Sequence, residues 1–202
     1  MAAKRPRGAA TVEKALAAAL DLYAADGRDG LTMTAVIARS GVSSGSLYHH
    51  FGSVDGLCAA LYARCMADLL DTLVAALEES PSASSGLRAF TAAYLRFVRE
   101  NRAKAHFIHA SSYADFLPAH AETVAAAKAP RMRRIAAWLR PYIAKGEIIA
   151  VPEPFIEMLV IGPVAETARR WLAGAPEIDL DAAIRLLPDR IWRSVRGEKA
   201  TD

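Results

Sequence analysis

A chain of 202 residues, 53% hydrophobic and 23% charged, has enough apolar material for one large domain or two unequal ones. It has no repeat and no apolar run near the roughly 18 residues of a membrane span, and its basic start, MAAKRPRGAATVEKAL, lacks a continuous apolar stretch; the expectation is a soluble, cytoplasmic protein. A net charge of +3 is too small by itself to argue for a polyanionic partner.

Almost every segment shows helical spacing. Val12, Leu16, Leu20 and Tyr23 recur on one face of a first helix, which Gly27 ends. Thr32 is placed to cap a second, with Val36 and Ile37 inward and Gly41 as its stop. Ser43 can cap a third, short helix carrying Leu47, Tyr48 and Phe51; Gly52 and Ser53 separate it from a long fourth that reaches about Leu77. That fourth helix holds both cysteines, Cys58 and Cys65, roughly 10 Å apart along its axis, so they cannot bridge each other. After the turn EESPSASSG, Leu87, Phe90, Tyr94, Phe97 and Val98 mark a fifth helix. Residues 103–112 and 120–145 predict two more, the latter bent or interrupted at Pro130 and Pro141 and closed by Gly146. VPEP opens a helix with Pro154 in its first turn that runs to Leu172 or Gly174, and Asp179 caps a last one ended by Gly197. GEIIAV is the one β-like run and is short, so the expected fold class is all-α.

Twelve residues, SGVSSGSLYHHF at 40–51, break with the apolar background. Three short helices with a tight turn at 40–43 make a helix-turn-helix whose second helix is this segment. A helix that enters a major groove needs outward residues small enough for close approach and polar enough to meet bases and phosphates. Ser44, Gly45, Ser46, Tyr48 and His49 suit that surface, while Leu47 and Phe51 hold the opposite face to the core. The bland alternative is a capped helix whose aromatic residues are all core. The residues of this segment leave the two readings open; residues 1–51 carry six basic and four acidic side chains, so +2 of the total +3 lies there. Most of that excess is the arm Lys4-Arg5-Pro6-Arg7, which beside a DNA-binding module can reach for phosphate or a minor groove.

The longer stretch LTMTAVIARSGVSSGSLYHHFGSVDGL, residues 31–57, resembles the DNA-binding signature of the TetR (tetracycline-repressor) family of bacterial transcription regulators. Thr32, Gly41, Val42, Ser43, Gly45, Leu47, Tyr48, Phe51 and Ser53 sit at that family's spacing. The signature covers about a quarter of the chain, and the rest is similar only in length, helical plan and the helix end RRWLAG. The resemblance implies a three-helix DNA-binding domain at residues 1–52, joined by the fourth helix to a helical ligand-sensing and dimerisation domain at 53–202. It further implies a homodimer on a near-palindromic double-stranded operator, a repressor released by a small organic effector, with neither enzymatic activity nor a cofactor. DNA contacts would come from Thr32, Arg39, Ser43, Ser44, Gly45, Ser46, Tyr48 and His49. Of these, Thr32 caps its helix and meets phosphate, 44–46 face bases, and Tyr48 and His49 lie against the backbone. Two departures matter: Ser44 and Val54 stand where the family often has lysine. Backbone attraction then falls to Arg39, the arm and helix-terminus amides.

The second half constrains its ligand weakly. His106, Phe107, His109, Tyr113, Phe116, Trp138, Met158 and Glu166 mix aromatic walls with polar anchors and are the candidate effector contacts, with plain core or solvated face as the alternative for each. The stripes Ile135-Trp138-Leu139-Tyr142 and Ile184-Leu187-Ile191-Val195 suit a core. Under the resemblance, the last two helices pair with those of a second subunit as a four-helix bundle, and the small Gly162 and Ala165 permit close approach. The competing function is a helical metal-binding protein or an enzyme built on His106 and His109, which at i, i+3 share a helix face. No HExxH, GxSxG, phosphate-loop or glycine-rich dinucleotide motif supplies it with a reaction.

Overall fold

The computed structural model describes residues 7–111 and 114–200, which form ten α-helices and no strand beyond one isolated bridge. In chain order they are α1 Arg7–Asp26, α2 Met33–Ser40, α3 Ser44–Phe51, α4 Val54–Glu78, α5 Ala83–Glu100, α6 Arg102–Ser111, α7 Phe116–Ala119, α8 Ala121–Lys145, α9 Glu153–Leu172 and α10 Leu180–Val195. The expected helices are all present, and only the four-residue α7 has no counterpart among them. Contacts divide the chain into two compact units, and both are discontinuous in sequence: Met1–Cys65 with Phe107–Ala127, and Met66–His106 with Lys128–Asp202.

In the first unit α1 packs on α2 and α3 through a small, closed core. Ala15, Ala19, Val36, Leu47 and Leu57 are fully or almost fully buried, and the ring of Phe107 meets Tyr23 edge-on with centroids 4.7 Å apart. Phe116 is buried in this unit as well. Burial pushes the Tyr23, Tyr62 and Cys58 pKa values above their ordinary ranges, so all three stay neutral here. Both cysteines are free and buried.

The second unit is built around α5, which packs on α9 and α10 and buries Leu87, Phe90, Leu95 and Val98. Gly86 is required by packing. A Cβ there would lie 2.2 Å from Cζ2 of Trp138, whose ring covers that glycine and meets Tyr142 at 4.7 Å. The far part of α4 is tied to its neighbours by charge: Asp68 to Lys104 at 2.7 Å, Asp71 to Arg131 through two hydrogen bonds of 2.8 and 2.6 Å, and Glu78 to Arg134. The β-like run resolves into a clasp. Ile148 bridges Arg196, Ile149 N–H donates to the Val195 carbonyl and Gly197 N–H to that of Glu147. Gly197 therefore serves close approach rather than ending the last helix, because a Cβ there would fall 2.2 Å from the Gly146 carbonyl oxygen.

Of the bend or interruption expected at Pro130 and Pro141, the interruption does not occur, and α8 runs through both. Each ring removes one donor, to the carbonyls of Ala126 and Ala137, and all four residues are exposed, so water can take up the freed acceptors.

Candidate nucleic-acid interface

The helix-turn-helix is fixed by local hydrogen bonds that its sequence makes nearly obligatory. Thr32, in extended conformation, accepts at Oγ1 from the Ala35 N–H (3.1 Å) and starts α2. Gly41 ends it at φ 67°, donating its N–H to the Ile37 carbonyl, a left-handed cap that other residues rarely adopt. Ser40 Oγ accepts from the Val42 N–H (3.2 Å), which turns the chain so that Val42 is buried. Ser43 Oγ then accepts from the Ser46 N–H (3.3 Å) and starts α3. Leu47, with no exposed surface, anchors α3 from below.

Outward, α3 shows Ser44, Gly45, Tyr48 and His49, with Ser46 half-buried. Tyr48 is 51% exposed, a large ring left in solvent on a helix that buries Leu47 completely. Gly45 is more telling. A Cβ at this position meets nothing within 4 Å, and its φ is not positive, so neither packing nor backbone conformation asks for glycine. Glycine also weakens a helix relative to alanine, by about 0.5–1 kcal/mol in its interior. Glycine there leaves the outward face of α3 without a side chain at that point. Arg39 is exposed at the end of α2 and lies 3.6 Å from Asp21, an ion pair open enough to exchange for another anion. Of the basic arm, Lys4 and Arg5 lie outside the described residues, and Arg7 opens α1.

Beside this face is an open groove of about 730 Å³ whose lining includes Arg28, Asp29, Thr32, Tyr48, Ser53 and Val54. Ser53 Oγ accepts from the Gly56 N–H (3.1 Å) at the start of α4. Ser53 belongs to the signature's spacing but not to the expected contacts, and Arg28 lies outside that signature altogether. Gly52, at φ 70°, turns the chain between Tyr48 and Ser53 and so brings the two hydroxyls into one groove.

The residues expected to contact an effector fall in different settings. Phe107, His109 and Phe116 belong to the first unit, where Phe107 and Phe116 are core. His106 is exposed on α6 and His109 half-buried, and Tyr113 lies outside the described residues. Trp138 is half-buried over Gly86. Met158 is 67% exposed on α9, which buries Ile156, Val160 and Val164 instead. Glu166 is also a surface group. Arg169 and then Arg170 donate to its oxygens and hold its pKa down to about 2, so this carboxylate is paired within its own helix. Among the described residues no three of His, Cys, Asp and Glu gather as a metal site, and none of the helices is long and apolar enough to cross a membrane.

Residues 15–61 match the family described as bacterial regulatory proteins, tetR family. Solved structures of similar fold include a TetR family transcription regulator from Marinobacter aquaeolei VT8, at 19% identity and TM-score 0.77, covering 96% of this chain and 100% of that one. A TetR-like transcriptional regulator from Rhodococcus sp. RHA1 is 26% identical, with TM-score 0.63 and coverages of 95% and 98%. The transcriptional regulator FadR from Bacillus subtilis, in complex with stearoyl-CoA, is 15% identical, with TM-score 0.71 and coverages of 89% and 96%. No curated protein matches the chain.

Proposed function

We propose that the chain is a TetR-family transcription regulator, a reading that its residues 15–61 and its fold support, and that it acts as a cytoplasmic, homodimeric, ligand-responsive repressor of a near-palindromic operator. The observation that carries the DNA half is Gly45, exposed on α3 with open space around it and no internal reason to be glycine. Ser44, Gly45 and Ser46 face base edges; Thr32, Ser43, Arg39, Tyr48 and His49 position the helix on the phosphate backbone.

Dimerisation is supported by the second unit's surface. Phe155, Met158 and Leu159 on α9 and Leu186 on α10 are large, apolar and exposed, and Gly162 on α9 has open space at its Cβ. Two such faces related by a two-fold axis bury each other's apolar residues.

Ligand response follows from the coupling a repressor needs. An effector releases DNA only by binding the released conformation more tightly, and a coupling of ~1–3 kcal/mol loosens the operator roughly 5- to 150-fold. Because the FadR neighbour is in complex with stearoyl-CoA, long-chain acyl-CoA thioesters are the first probes. Selection from a random duplex pool is expected to enrich a near-palindrome, and titrating that complex with acyl-CoAs and other organic ligands to weaken it. An unenriched pool would overturn the operator assignment. Enrichment without any ligand effect, across a broad library, would leave a constitutive DNA-binding protein.

Tyr48→Phe separates phosphate contact from base reading. Loss of the hydroxyl is expected to weaken operator binding by about 1 kcal/mol, close to fivefold, and equally across operator variants. Anisotropy titrations on a set of single-base variants measure this, and a changed base preference would assign Tyr48 to the bases.

A further inference from the structure

The groove beside α3 holds a guanidinium that the family signature does not include. Arg28 lies in the turn between α1 and α2, where its Nη1–H donates to the Leu31 carbonyl (3.3 Å) and its Nη2–H to Oδ1 of Asp55 on α4 (3.2 Å). Both bonds are long, and the Arg28 and Asp55 side chains are 47% and 56% exposed, a setting in which an ion pair adds little stability and exchanges readily. An arginine has five N–H donors, so these two bonds leave three for another acceptor. The hydroxyls of Thr32, Tyr48 and Ser53 line the same groove. A guanidinium flanked by hydroxyl donors is the chemistry that recognises a phosphate oxyanion. Asp29 lines the groove too and opposes an anion, which leaves Arg28 as the lining's one cation among the described residues. Val54, also in the lining, contributes no charge.

We propose that Arg28 is a backbone-phosphate contact of the operator complex, and that Asp55 competes with the phosphate for it. In the free protein the carboxylate holds the guanidinium; when α3 docks, a phosphodiester takes it over. This rests on the DNA-binding function proposed above and assigns to Arg28 the cationic role that Val54 cannot fill. The two side chains therefore act on DNA affinity with opposite signs. Removing the Arg28 charge loses a counterion-releasing contact, while removing the Asp55 charge frees the guanidinium and removes a repulsion from the phosphate. Were the pair only a pin on the turn before α2, either substitution would break the same pin and both would act in the same direction.

The experiment uses the full-length protein and its selected operator duplex, with affinity followed between roughly 50 and 200 mM salt. Arg28→Gln is expected to weaken binding at low salt and to lower the slope of log affinity against log salt by about one, equally for all operator variants. Asp55→Asn is expected to tighten binding severalfold, and the double variant to behave as Arg28→Gln. An unchanged slope in Arg28→Gln, or weakening by Asp55→Asn, overturns the proposal. Thermal melting of each variant checks the fold, and Arg28→Lys, which keeps the charge, is expected to keep the slope; a slope lost in Arg28→Lys as well overturns the proposal too. Wild-type protein that does not distinguish its operator from a scrambled duplex would instead overturn the DNA-binding function, whatever Arg28 does.

Discussion

Gly45→Val is expected to abolish specific operator binding while leaving a folded dimer. Inside the protein the substitution is nearly free, because a Cβ at 45 meets nothing within 4 Å and the φ is ordinary. Valine is no worse a helix former than glycine, so the melting temperature should stay within a few degrees or rise slightly. On DNA the balance reverses. A branched side chain on the outward face holds α3 away from the base edges, and losing two good contacts at ~1–3 kcal/mol each weakens binding roughly 30-fold or more. Gly45→Ala, smaller by two methyl groups, should fall between. Electrophoretic or anisotropy titration beside a scrambled duplex reads the effect, and a Gly45→Val protein that binds like the wild type would place α3 outside the groove.

Met158→Glu is expected to convert the dimer into monomers and, through that, to cost most of the operator affinity. Phe155, Met158 and Leu159 follow the i, i+3, i+4 spacing of one helix face, and Met158 is the most exposed of them at 67%. A two-fold axis doubles every interface substitution, so one mutation buries two carboxylates, each at a desolvation cost of several kcal/mol. Burying an apolar side chain there contributes only about 1.5–3 kcal/mol, which the charge overwhelms. Operator affinity should then drop by orders of magnitude, since a single head gains from one half-site alone. Light scattering at micromolar concentration decides it. A Met158→Glu protein that stays dimeric would move the interface elsewhere.

How much of this was legible beforehand depended on sequence distance. The caps were, because Thr32, Gly41, Ser43 and Gly52 act within four residues of themselves and their chemistry has few alternatives. The outward face of α3 followed from the same local logic. Arg28 was not, since its importance comes from Asp55, 27 positions away, and from a groove that exists only once α2, α3 and α4 are in place. The packing of Trp138 was not legible either, because nothing in the sequence connects it to Gly86, the residue whose missing side chain makes room for it. Met158 and Glu166 lie on the surface, a setting the sequence left open because composition marks a residue as apolar or charged but does not say which way its helix faces. Prolines 130 and 141 left a bend or an interruption open, and the helix continues through them where the carbonyls they deprive of a donor are exposed.

The first unit's make-up bears on anyone who would transplant its reading head. Its core is completed by Phe107 and Phe116, contributed by a segment that returns after residues 66–106 have been spent on the other unit. A fragment cut at residue 52, or even at 65, leaves Tyr23 without the ring that covers its edge. Chimeric regulators made by a single splice would therefore inherit a head with an open seam, whereas a hybrid that carries 107–127 along with the N-terminal residues keeps that core intact.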